Sequence, residues 1–186
     1  MDQKSDEWHL ARSMKVSGSR IASINCTPGA FKTYNKMMEE FIDEWQEKEK
    51  PEVGDYVQKL YDWGNDHEQD AEEMFIAKNG GAVEHYGFIH HPEIDYIGVS
   101  PDGKWTDQDG DEYLMEYKCP YSGVIPDVVE TRYYDQCQLG MQVMNLDKAI
   151  LVYWGLDSMG DPFIKEFWID RDEKWWKKTK KNAEKF

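Results

Sequence analysis

Residues 94–120 read IDYIGVSPDGKWTDQDGDEYLMEYKCP, and they contain Ser100-Pro101-Asp102-Gly103 followed, fourteen residues after Asp102, by Glu116-Tyr117-Lys118. Side chains along a strand alternate faces. A strand over Tyr113–Lys118 therefore sends Leu114, Glu116 and Lys118 to one side and Met115 and Tyr117 to the other. An acid and a base two apart on a mostly apolar strand cost free energy if buried without partners. Asp102, returned by the Gly/Asp-rich connection over 102–112, supplies a second carboxylate beside them.

Working outward, two further strands are expected at Val83–Ile89 and Ile94–Val99, with His90-His91-Pro92-Glu93 as the turn between them. Ala149–Trp154 is a continuous apolar strand of central type, and Phe163–Ile169 follows it. Helices flank this run. One opens at 17–25 with Ser17 or Ser19 as N-cap. Another covers 30–48, where Phe31, Tyr34, Met38, Phe41, Ile42 and Trp45 recur at helical spacing. Pro51 and Gly54 break the chain before a helix over Val57–Lys78, which Asn79-Gly80-Gly81 ends. A helix over 128–145 carries Tyr133, Gln136 and Met141, and a basic helix with Trp175 and Trp176 closes the chain. Helices, strands, a helix, two strands and a helix make an α/β protein with a mixed central sheet flanked by helices.

The 186 residues, 40% hydrophobic, suit a single domain spanning 1–186 with a sizeable core. No apolar stretch approaches the roughly 20 residues of a membrane span, and MDQKSDEWHLARS has no apolar signal-like region. A cytoplasmic location and no membrane partner are therefore expected. Three widely spaced cysteines without a CxxC pair exclude a zinc ribbon and read as reduced thiols, two of them buried. The net charge of −15 argues against general nucleic-acid affinity. It is unevenly spread, however: residues 39–73 carry fourteen acids and three lysines, and residues 171–186 carry seven Lys/Arg and three acids.

Two carboxylates with a main-chain carbonyl form a hard oxygen site that suits Mg²⁺. A neighbouring lysine can position or deprotonate a water there, which is the equipment for phosphodiester hydrolysis. Glu68 or Glu72, on one stripe with Ala71 and Phe75, points a third carboxylate toward the sheet. Asp107, Asp109 and Asp111 mimic an EF-hand opening, but Glu112 and Lys118 stand at its sixth and twelfth positions, so they read as a solvated hairpin tip. Trp175 and Trp176 read as packing against the body of the protein, with lysine stems covering apolar surface.

The string GVSPDGKW…YLMEYKCPYS resembles the active-site signature of the lambda exonuclease-like, or alkaline exonuclease and YqaJ-type viral recombinase, branch of the PD-(D/E)xK nucleases. Other pieces fall in that family's order: Trp8-His9-x-x-Arg12, Val16-Ser17-Gly18-Ser19, Trp63-Gly64-x-x-x-Glu68-x-x-Ala71 and Tyr133-x-x-Gln136-x-Gln138. The likeness covers about residues 7–145. It implies a restriction-endonuclease-like core and one or two Mg²⁺ ions, with Mn²⁺ as a substitute. The metal ligands it implies are Asp102, Glu116, the Tyr117 carbonyl and Glu68, which it selects over Glu72. Lys118 would orient or activate the attacking water. Arg12, Ser19 and Ser100 would hold a 5′-phosphate, supported by Gln136 and Tyr133. The activity implied is digestion of duplex DNA from 5′ ends, leaving 3′ overhangs for a single-strand annealing recombinase, in a ring-shaped homo-oligomer. A structure-specific or nicking endonuclease with the same chemistry, and a DNA-end-binding module without turnover, are the alternatives. The iron–sulfur branch is disfavoured, because its four-cysteine cluster is missing.

Overall fold

The computed structural model describes residues 3, 5–48 and 52–186. Pro51, read as a helix break, lies outside the described residues, as do Met1, Asp2 and Lys4 of the N-terminal stretch. The elements run α1 (Asp6–Arg12), α2 (Gly18–Ile24), α3 (Tyr34–Trp45), α4 (Asp55–Asn79), β1 (Ala82–Glu84), β2 (Ile89–His90), β3 (Gly98–Val99), β4 (Gly103–Thr106), β5 (Glu112–Lys118), α5 (Thr131–Met144), β6 (Lys148–Leu156), β7 (Pro162–Asp170) and α6 (Glu173–Lys185). The main sheet has strand order β1-β4-β5-β6-β7. Only β5 and β6 pair in parallel, Glu116 opposite Leu151 and Lys118 opposite Tyr153. The other neighbours are antiparallel. This is the mixed sheet expected from the sequence.

A parallel pair needs a crossover, and α5 supplies it. The crossover helix covers one face of the sheet and α4 covers the other. Strand alternation then sorts the core into two layers. Leu114, Ala149, Leu151 and Tyr153 pack with Cys137 and Met141 of α5. Met115, Tyr117, Ile150 and Val152 pack with Ala71 and Phe75 of α4. Covered on both sides, β6 reads as an unbroken apolar run. Ala71 and Phe75 are the buried residues of α4, so one stripe pins 25 residues of acidic helix to the sheet.

Three expectations need correction. The strand expected over Val83–Ile89 splits into β1 and β2, and β2 leaves the main sheet to pair with β3 as a separate ribbon, Ile89 opposite Val99. Ile94–Val99 is a strand over its last two residues only. The connection over 102–112 contains a strand, β4: Trp105 enters the α4-side core while Lys104 stays half-exposed, an alternation that the surrounding Gly and Asp residues mask. On α3, Met37 is the buried residue, whereas Phe31, Ile42 and Trp45 are 67%, 47% and 72% exposed. Met37 is i−4 to the half-buried Phe41, and their stripe faces α2 and α6 rather than the stripe through Met38.

Other details agree with the reading. Ser17 is the N-cap residue of α2. Gly80, at φ +72°, ends α4 in a backbone region open to glycine. Cys119 and Cys137 are buried thiols and Cys26 is exposed. Asp107 accepts from the main-chain N–H of Asp109 and Asp111, closing the tip between β4 and β5. Trp175 and Trp176 are half-buried against the body. No helix among the described residues is long and apolar enough to cross a membrane.

Candidate active site

Strand β5 carries Glu116 and Lys118 on the face covered by α5, at the end of the strand where β4 has already stopped. Beyond the Gly103–Met115 pair, the Asp102 carboxylate takes over the ladder: Tyr117 N–H donates to Asp102 Oδ2 at 2.7 Å. The Ser-Pro-Asp-Gly turn thus delivers a side chain where a strand would have continued. Lys118 Nζ lies 3.2 Å from Glu116 Oε2 and 4.0 Å from Asp102 Oδ2. The three groups converge.

Glu116 is 3% exposed. Gln136 of α5 donates to its Oε2 at 2.6 Å. Burial, and then the negative charge of Asp102, push the Glu116 carboxyl up to about 8. Burial alone would lower the Lys118 ammonium, but the charges of Glu116 and Asp102 outweigh it and hold the group well above its usual range. The Lys118 ammonium also sits 5.2 Å from the centre of the Tyr133 ring. One ammonium does not offset two carboxylates in so buried a place. Two hard oxygen groups short of positive charge are a donor set that fits a divalent cation such as Mg²⁺.

A cavity of about 180 Å³ opens in front of this group. Asp102, Glu116 and Gln136 line it, and across from them stand Arg12, Ser19 and Ser100. Arg12 lies 4.1 Å over the Trp8 ring and donates to Ser19 Oγ at 3.1 Å. Burial, followed by the charge of Arg20, lowers its guanidinium to about 10, so it stays cationic at neutral pH. Trp8 Nε1–H donates to Ser100 Oγ at 2.7 Å and ties α1 to the Asp102 turn. Gly18 lets α2 close on Gln136, because an added Cβ would stand 3.1 Å from Gln136 Cγ. Residues separated by more than a hundred positions thus share one wall.

The Tyr117 side chain points to the other face, where its hydroxyl donates to Glu72 Oε2 at 3.2 Å. Glu68 lies on the same helix, and its charge helps raise both the Tyr117 hydroxyl and the Cys119 thiol; for both groups burial is the larger cause. Among the described residues, no three His, Cys, Asp or Glu side chains gather as a metal-holding cluster. The carboxylates brought together are therefore Asp102 and Glu116.

Two residues outside the expected set complete a circuit behind Asp102. His85 Nδ1–H donates to the Asp102 carbonyl at 2.9 Å, and its Nε2 lies 3.2 Å from Glu72 Oε1. Glu72 in turn meets Tyr117, whose N–H holds the Asp102 carboxylate. The stripe through Ala71 and Phe75 was a signal for Glu72. His85 lies just past β1 in an irregular stretch and had none.

Comparison with known proteins places this geometry among nucleases of similar fold. LHK-Exo in complex with dAMP aligns with a TM-score of 0.78 at 24% identity, over 96% of this chain and 89% of that one. A second structure of this alkaline exonuclease, from Laribacter hongkongensis, aligns at 0.75 and 24%, over 97% and 90%. A phage-related exonuclease from Haemophilus somnus 129PT aligns at 0.68 and 17%, over 91% and 90%. At these identities the likeness is one of fold. No curated protein matches the chain. The model of the YqaJ-like viral recombinase domain matches residues 7–147, three-quarters of the sequence and every group lining the Asp102–Glu116 cavity except Gln3, and the chain belongs to that family.

Proposed function

We propose that this protein is a metal-dependent deoxyribonuclease that digests duplex DNA from 5′ ends and leaves 3′ single-stranded overhangs for recombination. The observation that carries the reading is the convergence of Asp102, Glu116 and Lys118 on one wall of a cavity whose other wall bears Arg12, Ser19 and Ser100. Asp102 and Glu116 would hold Mg²⁺ (or Mn²⁺ in its place, as one or two ions), with the Tyr117 carbonyl and Glu68 of α4 completing the protein's share. When bound, the metal lowers the pKa of water and offsets charge growing on the phosphate.

The chain's own groups do the rest. Lys118 orients the attacking water, and its place is held by Glu116 and the Tyr133 ring. Gln136 fixes the Glu116 carboxylate. Arg12, with the Ser19 and Ser100 hydroxyls, takes the terminal 5′-phosphate, a charge-assisted contact for which arginine is suited. With that end anchored, the next phosphodiester lies at the carboxylates. Water adds to its phosphorus, the bond to the 3′-oxygen breaks, and a 5′-mononucleotide leaves while the new end keeps a 5′-phosphate. LHK-Exo has been seen with dAMP, a product of this form. Family membership supports a single-strand annealing recombinase as partner, a ring-shaped homo-oligomer as the working form and a cytoplasmic setting.

The test uses linear and closed-circular duplex with Mg²⁺, the linear form labelled at either end. Mononucleotides from the 5′ end, with circles intact, are expected. Cut circles would replace this reading with an endonuclease. Retained linear duplex, bound but uncleaved, would replace it with an end-binding module.

A further inference from the structure

The net charge of −15 makes the lysines of α6 stand out. Lys174, Lys178, Lys181 and Lys185 recur at spacings of four, three and four, which puts them on one stripe of the helix. Thr179 and Ala183 are buried on the opposite side, and Trp175 and Trp176 are half-buried between. The whole stripe is exposed, with Lys177 beside it. Elsewhere the chain spends its lysines on its own acids: Lys32 on Glu40, Lys36 on Glu39, Lys48 on Asp43, Lys104 on Glu112 and Lys165 on Asp127. Lys178, Lys181 and Lys185 make no such pair among the described residues.

A second cavity, of about 300 Å³, opens on this stripe between the end of α2, the start of α3 and α6. Lys178, Lys185, Asn25, Asn182 and Tyr34 line it. Asn182 donates to Asn25 Oδ1 at 2.9 Å, and Asn25 donates to Thr179 at 2.9 Å, so the amides brace its floor. Two unpaired ammonium groups and a phenol around such a space suit an anionic oxygen ligand. The cavity lies at the C-terminal end of α2, whereas Ser17, Gly18 and Ser19 line the active-site cavity at the other end. Seven helical residues separate the two, or about 10 Å, roughly three base-pair rises.

We propose that the α6 lysine stripe, with the cavity between Lys178 and Lys185, is a second contact surface for the phosphate backbone of duplex DNA, engaging it a few base pairs in from the end held at the active site. The proposal rests on the nuclease reading for the identity of the polymer. The stripe is about 16 Å long, and that length of duplex axis presents roughly ten phosphates. A strongly acidic protein needs such a surface to keep DNA close while the end is processed, because acids dominate its remaining charge.

The test is binding of a labelled 30-base-pair duplex in EDTA, across a range of NaCl, by the wild-type chain and by the combined Lys174→Gln, Lys178→Gln, Lys181→Gln and Lys185→Gln variant. The expected result is a plot of log affinity against log salt that is shallower by about 3, from ~0.9 per lost phosphate contact. Affinity near physiological salt should drop at least tenfold. The four Lys→Arg changes should restore both. Hydrolysis of bis(p-nitrophenyl) phosphate with Mn²⁺, which needs no polymer contact, should be equal in all three proteins. An unchanged slope and affinity in the Gln variant would overturn the proposal. So would an unchanged slope together with lost self-association by light scattering, which would assign the stripe to an acidic protein face. Cleavage is read separately: metal-independent DNA binding that depends on α6, without any metal-dependent cleavage, would leave this surface standing and remove the nuclease reading.

Discussion

Replacing Glu116 with Gln should make the metal-free protein more stable, and increasingly so as pH rises. The Glu116 carboxyl, fully buried beside Asp102, is held at about 8 instead of 4.5. Between those values the folded chain holds a proton that the unfolded chain releases. The stability of the cation-free wild type is therefore full below about pH 4.5 and falls as pH rises through 8. At ~1.4 kcal/mol per pH unit, the loss reaches about 5 kcal/mol by pH 8. Glu116→Gln abolishes the titration, and the amide oxygen still accepts from Gln136. The advantage of the variant should grow from near zero at pH 4.5 to at most about 5 kcal/mol at pH 8. Urea denaturation in EDTA at a series of pH values measures both proteins. Adding Mg²⁺ at pH 8 should then stabilise the wild type, whose carboxylate gains its counter-charge, and leave the variant nearly unmoved. Parallel pH profiles for the two proteins, or a variant weaker than wild type at pH 8 without metal, would refute the claim that the carboxylate pair lacks positive charge.

Lys118→Ala should keep duplex binding and lose cleavage by about 10²- to 10⁴-fold, the range for a group that assists proton transfer; gel-based cleavage beside a binding titration checks both. Arg12→Ala should abolish the preference for 5′-phosphorylated over 5′-hydroxyl ends and raise KM on phosphorylated ends by about 10- to 100-fold, the worth of a hydrogen bond to a charged group; steady-state kinetics on the two substrates separates this from a general loss. Phe75→Ala should cost about 3–5 kcal/mol, because Phe75 is fully buried between α4 and the sheet; the shift in urea midpoint at constant slope measures it.

The amino-acid sequence alone determined the local chemistry of β5 and the helices. Period-two alternation placed Glu116 and Lys118 on one face and Tyr117 on the other, and the apolar run of β6 signalled a strand covered on both sides. Such patterns act between near neighbours, so they are visible without knowing the fold. Only the tertiary structure decided what closes the site. β4 hid among turn-forming residues, because its alternation matters only once Trp105 has a core to enter. The strand expected at Val83–Ile89 broke in two, because β2 finds its partner in β3 and not in the main sheet. The circuit through His85 and Glu72 joins an irregular stretch, a helix and a strand, and no sequence period links three such elements. Hydrogen bonds and charge coupling depend on distance through space, and distance along the chain says nothing about them until the chain has folded.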